Sequence, residues 1–176
     1  MISAEPPVGA QLSSVEILNR LVVHAQTFEQ CMLVVNDGQK VQVHPYPVLS
    51  VEPSGTVTLL GTPDAAFSQV LQKASRLQLV FQSKALQVCL AGTATLIPAV
   101  SQIDTLWKAS LAPWFPSGKA TEGLALILMV PSEGEFWDQT DTSGSVRFWA
   151  VAAQAALTDY PVTPDPLAHG KVTLPA

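Results

Sequence analysis

The chain has 176 residues, which fits one domain with a single core that buries roughly two-thirds of its unfolded surface. Apolar residues make up 48% and charged residues 13%, sparse for a soluble monomer, so a second subunit is expected to cover part of the apolar surface. The net charge is -5, and the nine Lys and Arg residues fall singly from Arg20 to Lys171, which excludes a nucleic-acid footprint.

Residues 1–12, with Pro6, Pro7 and Gly9, read as a loose lead-in. Ser13 with Glu16 has the pattern of a capping box, and Val15, Leu18, Leu21, Val22, Ala25 and Phe28 recur at helical spacing to about residue 30. An apolar run at 31–35, the turn signal Asn36-Asp37-Gly38 and a return strand opening at 41–43 predict a hairpin. His44-Pro45-Tyr46-Pro47 is expected to interrupt the return strand at an edge or bulge, because neither proline donates a ladder hydrogen bond. Residues 48–51 and 56–60 flank Pro53-Ser54-Gly55 as a second hairpin. Thr62, Pro63 and Asp64 then open a helix to about residue 74, with Thr62 as N-cap and Pro63 at the first helical position.

Residues 77–82 and 86–96 read as strands joined at Ser83-Lys84, and Ser101 caps a helix through Ile103, Leu106 and Trp107 that ends near Leu111. The run 124–130 is the most apolar strand, expected to be buried on both faces. A polar loop at 139–144, an Ala-rich helix at 146–157 and an extended Pro-rich tail at 161–176 complete the chain. Hairpin-linked strands with helices between them predict an antiparallel α+β barrel rather than a doubly wound sheet.

Cys31 and Cys89 each sit in an apolar, strand-like run with no CxxC pattern, and are expected to be buried free thiols. Residues 1–11 lack a basic start and an apolar stretch, so no signal peptide is expected, and no apolar run approaches the ~20 residues that span a bilayer. A cytoplasmic protein without membrane or nucleic-acid partners is the expectation. His24, His44 and His169 lie far apart with no ligand spacing, and no nucleophile motif is present, so neither metal ligands nor catalytic residues are assigned.

Residues 106–138 hold three of the four tryptophans. They read Leu106-Trp107, then Trp114-Phe115-Pro116-Ser117-Gly118-Lys119, then the apolar run, then Glu135-Phe136-Trp137-Asp138. The physical reading is a helix end, a Pro-Gly turn that fixes Trp114 and Phe115, and a buried strand ending in an aromatic. In this order the residues resemble the general-stress-protein branch of the pyridoxamine 5'-phosphate oxidase-like family, which carries Leu-Trp, Trp-Phe-Pro-x-Gly, an apolar strand and Glu-Tyr-Trp-Asp, with Phe136 here at the Tyr. A weaker similarity runs back to about Val15 and on to Leu174, where Leu167-Ala168-His169-Gly170-Lys171 looks like the closing segment. The resemblance implies an antiparallel, Greek-key-like split β-barrel of about six strands with flanking helices, formed as a homodimer with two sites at the subunit interface.

It also implies flavin mononucleotide as cofactor. In the family, the flavin phosphate is held by the Arg of an Arg-Pro-Met motif and the Lys of a Thr-Ser-x-x-Ser-x-Lys segment where a strand turns into a helix. A dianionic phosphate favours cationic side chains and free helix N–H groups. Here His44, Pro45 and Tyr46 stand at Arg-Pro-Met, and Gly61, Thr62 and Phe67 stand at the Thr-Ser and the Lys. Each charge-assisted hydrogen bond contributes on the order of 1.5–3 kcal/mol, so losing two weakens phosphate binding by roughly 10²–10⁴.

His44 reads either as a strand-edge histidine bonded to the backbone or as a phosphate ligand, and Gln82 either as a polar strand end or as a partner for the flavin edge. By resemblance Trp114 and Phe115 lie near the flavin ring of the opposite subunit; a core plug at the dimer seam explains them equally well. Two functions fit: a flavin-binding general stress protein acting as a low-specificity flavin-dependent oxidoreductase, or a cofactor-less descendant of the fold serving as a small-molecule binding or interaction module. A true pyridoxamine 5'-phosphate oxidase is not expected, because from Arg147 onward only that Arg and Lys171 are basic.

Overall fold

The computed structural model describes residues 12–36, 38, 40–73, 77–99, 102–140 and 168–174. The expected lead-in up to residue 11, Ser101 and the helix expected at 146–157 lie outside the described residues.

Helix α1 (Ser14–Ala25) opens with the expected capping box: the Ser13 hydroxyl accepts from the Glu16 amide, and the Glu16 carboxylate accepts from the Ser13 amide at 2.8 Å. It ends at Ala25, earlier than its spacing predicts. There the Thr27 hydroxyl donates to the His24 carbonyl, a local partner for one orphan acceptor of the last turn, and the Gln26 side-chain amide donates to the Val51 carbonyl, tying the helix end to a later strand.

Strand β1 (Gln30–Asn36) pairs antiparallel with β2 (Val41–Val51), and β2 runs through His44-Pro45-Tyr46-Pro47 without a break. The strand is therefore not interrupted, but the prolines do lie at an edge, as expected, and the hydrogen-bond phase explains both. The Val48 amide donates to the carbonyl of Glu29, just ahead of β1, so the even-numbered residues of this segment turn their amides to β1 and Pro45 and Pro47 face the other side. On that side β3 (Val57–Gly61) pairs with β2 only over Val48–Val51, so no ladder donor is missed.

Helix α2 (Ala65–Lys73) leads to β4 (Leu77–Gln82) and β5 (Leu86–Pro98). The helix expected to run to Leu111 is shorter: α3 spans only Ile103–Leu106, and 3-10 turns follow at Ala109–Leu111 and Gly118–Ala120. The chain closes with β6 (Ala125–Asp138) and β7 (His169–Thr173), the latter a sheet strand within the tail that the sequence reading describes only as extended.

All strand pairings are antiparallel, in the order β3-β2-β1-β4-β5-β6-β7, and β3 also pairs with β6. The first six strands thus form a closed barrel, as the split-barrel expectation has it, with β7 attached outside the ring. Strand β6 serves both: Ala125–Met129 face β3, and Glu133–Trp137 face β7. Between them Ser132 is bulged, its carbonyl accepting from the Leu174 amide at 2.8 Å. Gly92 lies opposite this bulge, where a Cβ would come within 2.0 Å of the Val130 carbonyl oxygen.

The barrel interior is filled by alternating residues, among them Leu33 and Val35 of β1, Leu79 and Phe81 of β4, Val88 and Leu90 of β5, and Ile127 and Met129 of β6. A second apolar cluster lies outside the wall, where Leu49, Leu60 and Leu126 pack against Ile103, Leu111 and Phe115 of the segment between β5 and β6. Leu126 belongs to the outer cluster and Ile127 to the inner one, so this strand is buried on both faces, as its composition predicts; Val130, at its end, is 47% exposed. Among the described residues no helix is long and apolar enough to cross a membrane.

Candidate functional site

Four of the sequence-selected residues meet at one end of the barrel. Tyr46 points inward from β2 and is buried. Its ring edge lies against Gly61, the last residue of β3, where a Cβ would stand only 2.1 Å from the tyrosine Cε1. Phe67, in the first turn of α2, is buried beside it, with ring centroids 6.4 Å apart and planes within 16° of parallel. His44, exposed at the rim, completes the group, its ring 4.4 Å from that of Phe67.

The start of α2 differs from the expectation in its cap. Thr62 is exposed and Ala65 is the first helical residue, so the N-cap is Asp64, whose Oδ1 accepts from the Phe67 amide at 2.7 Å. The sequence reading places Asp64 against the helix dipole but gives the cap to Thr62. An acidic residue directly before an Ala-Ala-Phe helical start is the signal for this cap.

The same carboxylate bears on Tyr46. Burial first, and then the negative charge of Asp64, push the phenol up to about 12, so it stays a neutral hydroxyl at physiological pH. From Val41 to Gln72 the chain contains no Lys or Arg and two acids, Glu52 and Asp64. Lys108 does reach β2, where it donates to the Leu49 carbonyl at 2.9 Å.

The remaining selected residues lie elsewhere in the chain. Pro45 is exposed on the outer wall, across from Met32, which is itself across from Val80 in β4; Gln82 is exposed two residues further along β4. Phe115 is buried and Trp114 half-buried in the outer cluster, with the Phe115 ring 6.1 Å from that of Trp107. Within one chain these two aromatics therefore pack on the outer wall of the barrel. Of the cysteines, Cys31 is buried and Cys89 half-buried, both free, and burial pushes the Cys31 thiol up to about 12.

A flavin phosphate does not fit the donor set at 44, 61, 62 and 67. Asp64 takes the Phe67 amide, one of the first-turn donors, and adds a negative charge; Pro63 has no N–H, and the side chains at 44 and 67 are rings rather than fixed cations.

Residues 16–162 match the model of the family described as pyridoxamine 5'-phosphate oxidase like, and the chain belongs to that family. Among solved structures, it is similar to a general stress protein 26 from Jannaschia sp. CCS1, at 20% identity over 92% of this chain and 100% of that one, with a TM-score of 0.62. A Clostridium acetobutylicum protein related to general stress protein 26 matches at 13% identity, 73% and 93% coverage and a TM-score of 0.62. A third, described as a general stress FMN/FAD binding protein from Xanthomonas citri, matches at 20% identity, 73% and 90% coverage and a TM-score of 0.54. At these identities the likeness establishes the split-barrel fold and nothing finer. A comparison with curated protein sequences finds no significant match.

Proposed function

We propose that this chain is a cofactor-less member of the general-stress branch, a homodimer that binds a small organic ligand in the cleft between subunits and is not a flavin oxidoreductase. The observation that carries this reading is the Asp64 carboxylate at the start of α2, where a phosphate-binding helix leaves its amides free. Pairing supports the dimer. Val43 lies across from Val34 and Pro45 across from Met32, and on this outer face Val41, Val43 and Met32 are 60%, 49% and 39% exposed. An apolar face of this kind calls for a cover, and a second copy is the simplest. Pro45 and Pro47 block sheet extension along the open edge of β2, which favours face-to-face docking over strand addition.

A flavin-dependent oxidoreductase remains the competing function. Family membership and the FMN/FAD description of the Xanthomonas citri relative favour it, and it requires a phosphate partner other than residues 44 and 67. The free thiols of Cys31 and Cys89 accord with a reducing, cytoplasmic location. Sedimentation velocity tests the dimer: wild type is expected to run as a dimer and Val43→Glu as a monomer, whereas a monomeric wild type at micromolar concentration removes the subunit cleft.

A further inference from the structure

The ligand class of the cleft follows from its closed end. Resting on the proposed cleft reading, we infer that the phosphate subsite is filled by the chain's own groups, so that the site selects ligands that carry no phosphate.

Three features carry this. The Asp64 carboxylate accepts the Phe67 amide at 2.7 Å and so stands, negatively charged, where an incoming phosphate oxygen would accept. Tyr46 fills the space that Gly61 leaves open, with no room there even for a methyl group. His44 and Phe67 are in ring contact across the mouth of the same space. Between Lys40 and Lys73 the sequence of β2, β3 and the first eight residues of α2 contains no Lys or Arg. A phosphate brought here meets the Asp64 carboxylate and no cation from positions 41–72, so it adds nothing to affinity; a site with two cations gains roughly 10²–10⁴ from it.

The test compares flavin mononucleotide with riboflavin, which differ by the phosphate alone, in fluorescence titrations of the full-length protein at low salt. In wild type the phosphate is expected to confer no advantage, with flavin mononucleotide no tighter than riboflavin. The double variant H44R/D64S supplies a cation, removes the negative charge and keeps a capping hydroxyl; its affinity for flavin mononucleotide is expected to rise at least tenfold with riboflavin unchanged. A wild type that holds flavin mononucleotide tenfold or more tighter than riboflavin overturns the inference. So does a folded double variant, verified by circular dichroism, that gains nothing. If instead the cleft reading fails, sedimentation shows a monomer while the ratio of the two flavin affinities stays as stated, so the two failures are separable.

Discussion

His44 and Phe67 meet ring to ring, with centroids 4.4 Å apart and planes inclined at 55°. These are the two positions at which the family resemblance puts an Arg and a Lys. In place of two cations reaching outward to an anion, one exposed ring covers one buried ring. The two sites therefore respond differently to restored charge. His44→Arg keeps a planar group over Phe67 at an exposed rim and is expected to change stability by less than about 1 kcal/mol. Phe67→Lys removes a buried ring and strands an ammonium, with an expected loss of about 3–5 kcal/mol. Urea denaturation of the two variants measures both; equal losses would mean that Phe67 is not part of the barrel core.

Asp64 holds the first turn of α2 through its side chain. Asp64→Ala is expected to cost about 1 kcal/mol, seen as a drop in Tm of roughly 2–4 °C, whereas Asp64→Ser retains a capping oxygen and stays near wild type. A melting curve of each variant decides it. An alanine variant as stable as the serine one would place the cap elsewhere.

Two glycines test close approaches of different kinds. A Cβ at Gly61 meets the edge of the Tyr46 ring, and a Cβ at Gly92 meets the Val130 carbonyl and the Pro131 Cα. A side chain shifts more readily than a backbone bulge, so Gly61→Ala is expected to cost about 1–3 kcal/mol and Gly92→Ala more. The Gly61 loss is recovered in part when Tyr46→Val is added, which a double-mutant cycle reads as a favourable coupling. Additive losses at 46 and 61 would contradict the contact.

His24 carries the pH dependence. Its ring packs 5.1 Å from Phe136, and its buried Nε2 faces the Asp138 carboxylate at 3.4 Å. Burial, the largest effect, holds the imidazole below its usual value of 6.5; Asp138 opposes this and Arg20 adds to it. Because the folded value lies below the unfolded one, the unfolded chain binds the proton more readily. The contribution of His24 is therefore constant above about 6.5, becomes unfavourable as the pH falls below that, and levels off below the folded value. His24→Leu is expected to flatten this part of the stability profile between pH 7 and 5. An unchanged slope in the variant assigns it to other groups.

The elements that the sequence fixes locally were the legible ones. The capping box at Ser13 and Glu16, the strands at 31–35, 77–82 and 86–96, and the burial of the apolar run 124–130 on both faces, Val130 excepted, each follow from local spacing or composition. Two misreadings came from tertiary context. Pro45 and Pro47 look like a break, yet they fall in the phase that faces an unpaired edge, and that phase is set by β1 and β3 rather than by the prolines. Residues 107–111 continue a helical pattern, yet the chain must turn there to lay Leu111 and Phe115 on the outer wall, and Lys108 is drawn to the Leu49 carbonyl. At the site, the missing cations were legible from residue types. The closure by Asp64 and the contact of His44 with Phe67 were not, because they depend on how β2, β3 and α2 converge.

The most direct measurement is a visible absorption spectrum of the purified full-length protein after incubation with excess flavin mononucleotide and gel filtration. A phosphate subsite closed by Asp64, Tyr46 and the His44–Phe67 pair predicts protein that emerges colourless, with no flavin band. A stoichiometric flavin band that survives filtration would contradict it, and would show that this barrel holds the cofactor through contacts other than those at 44 and 67.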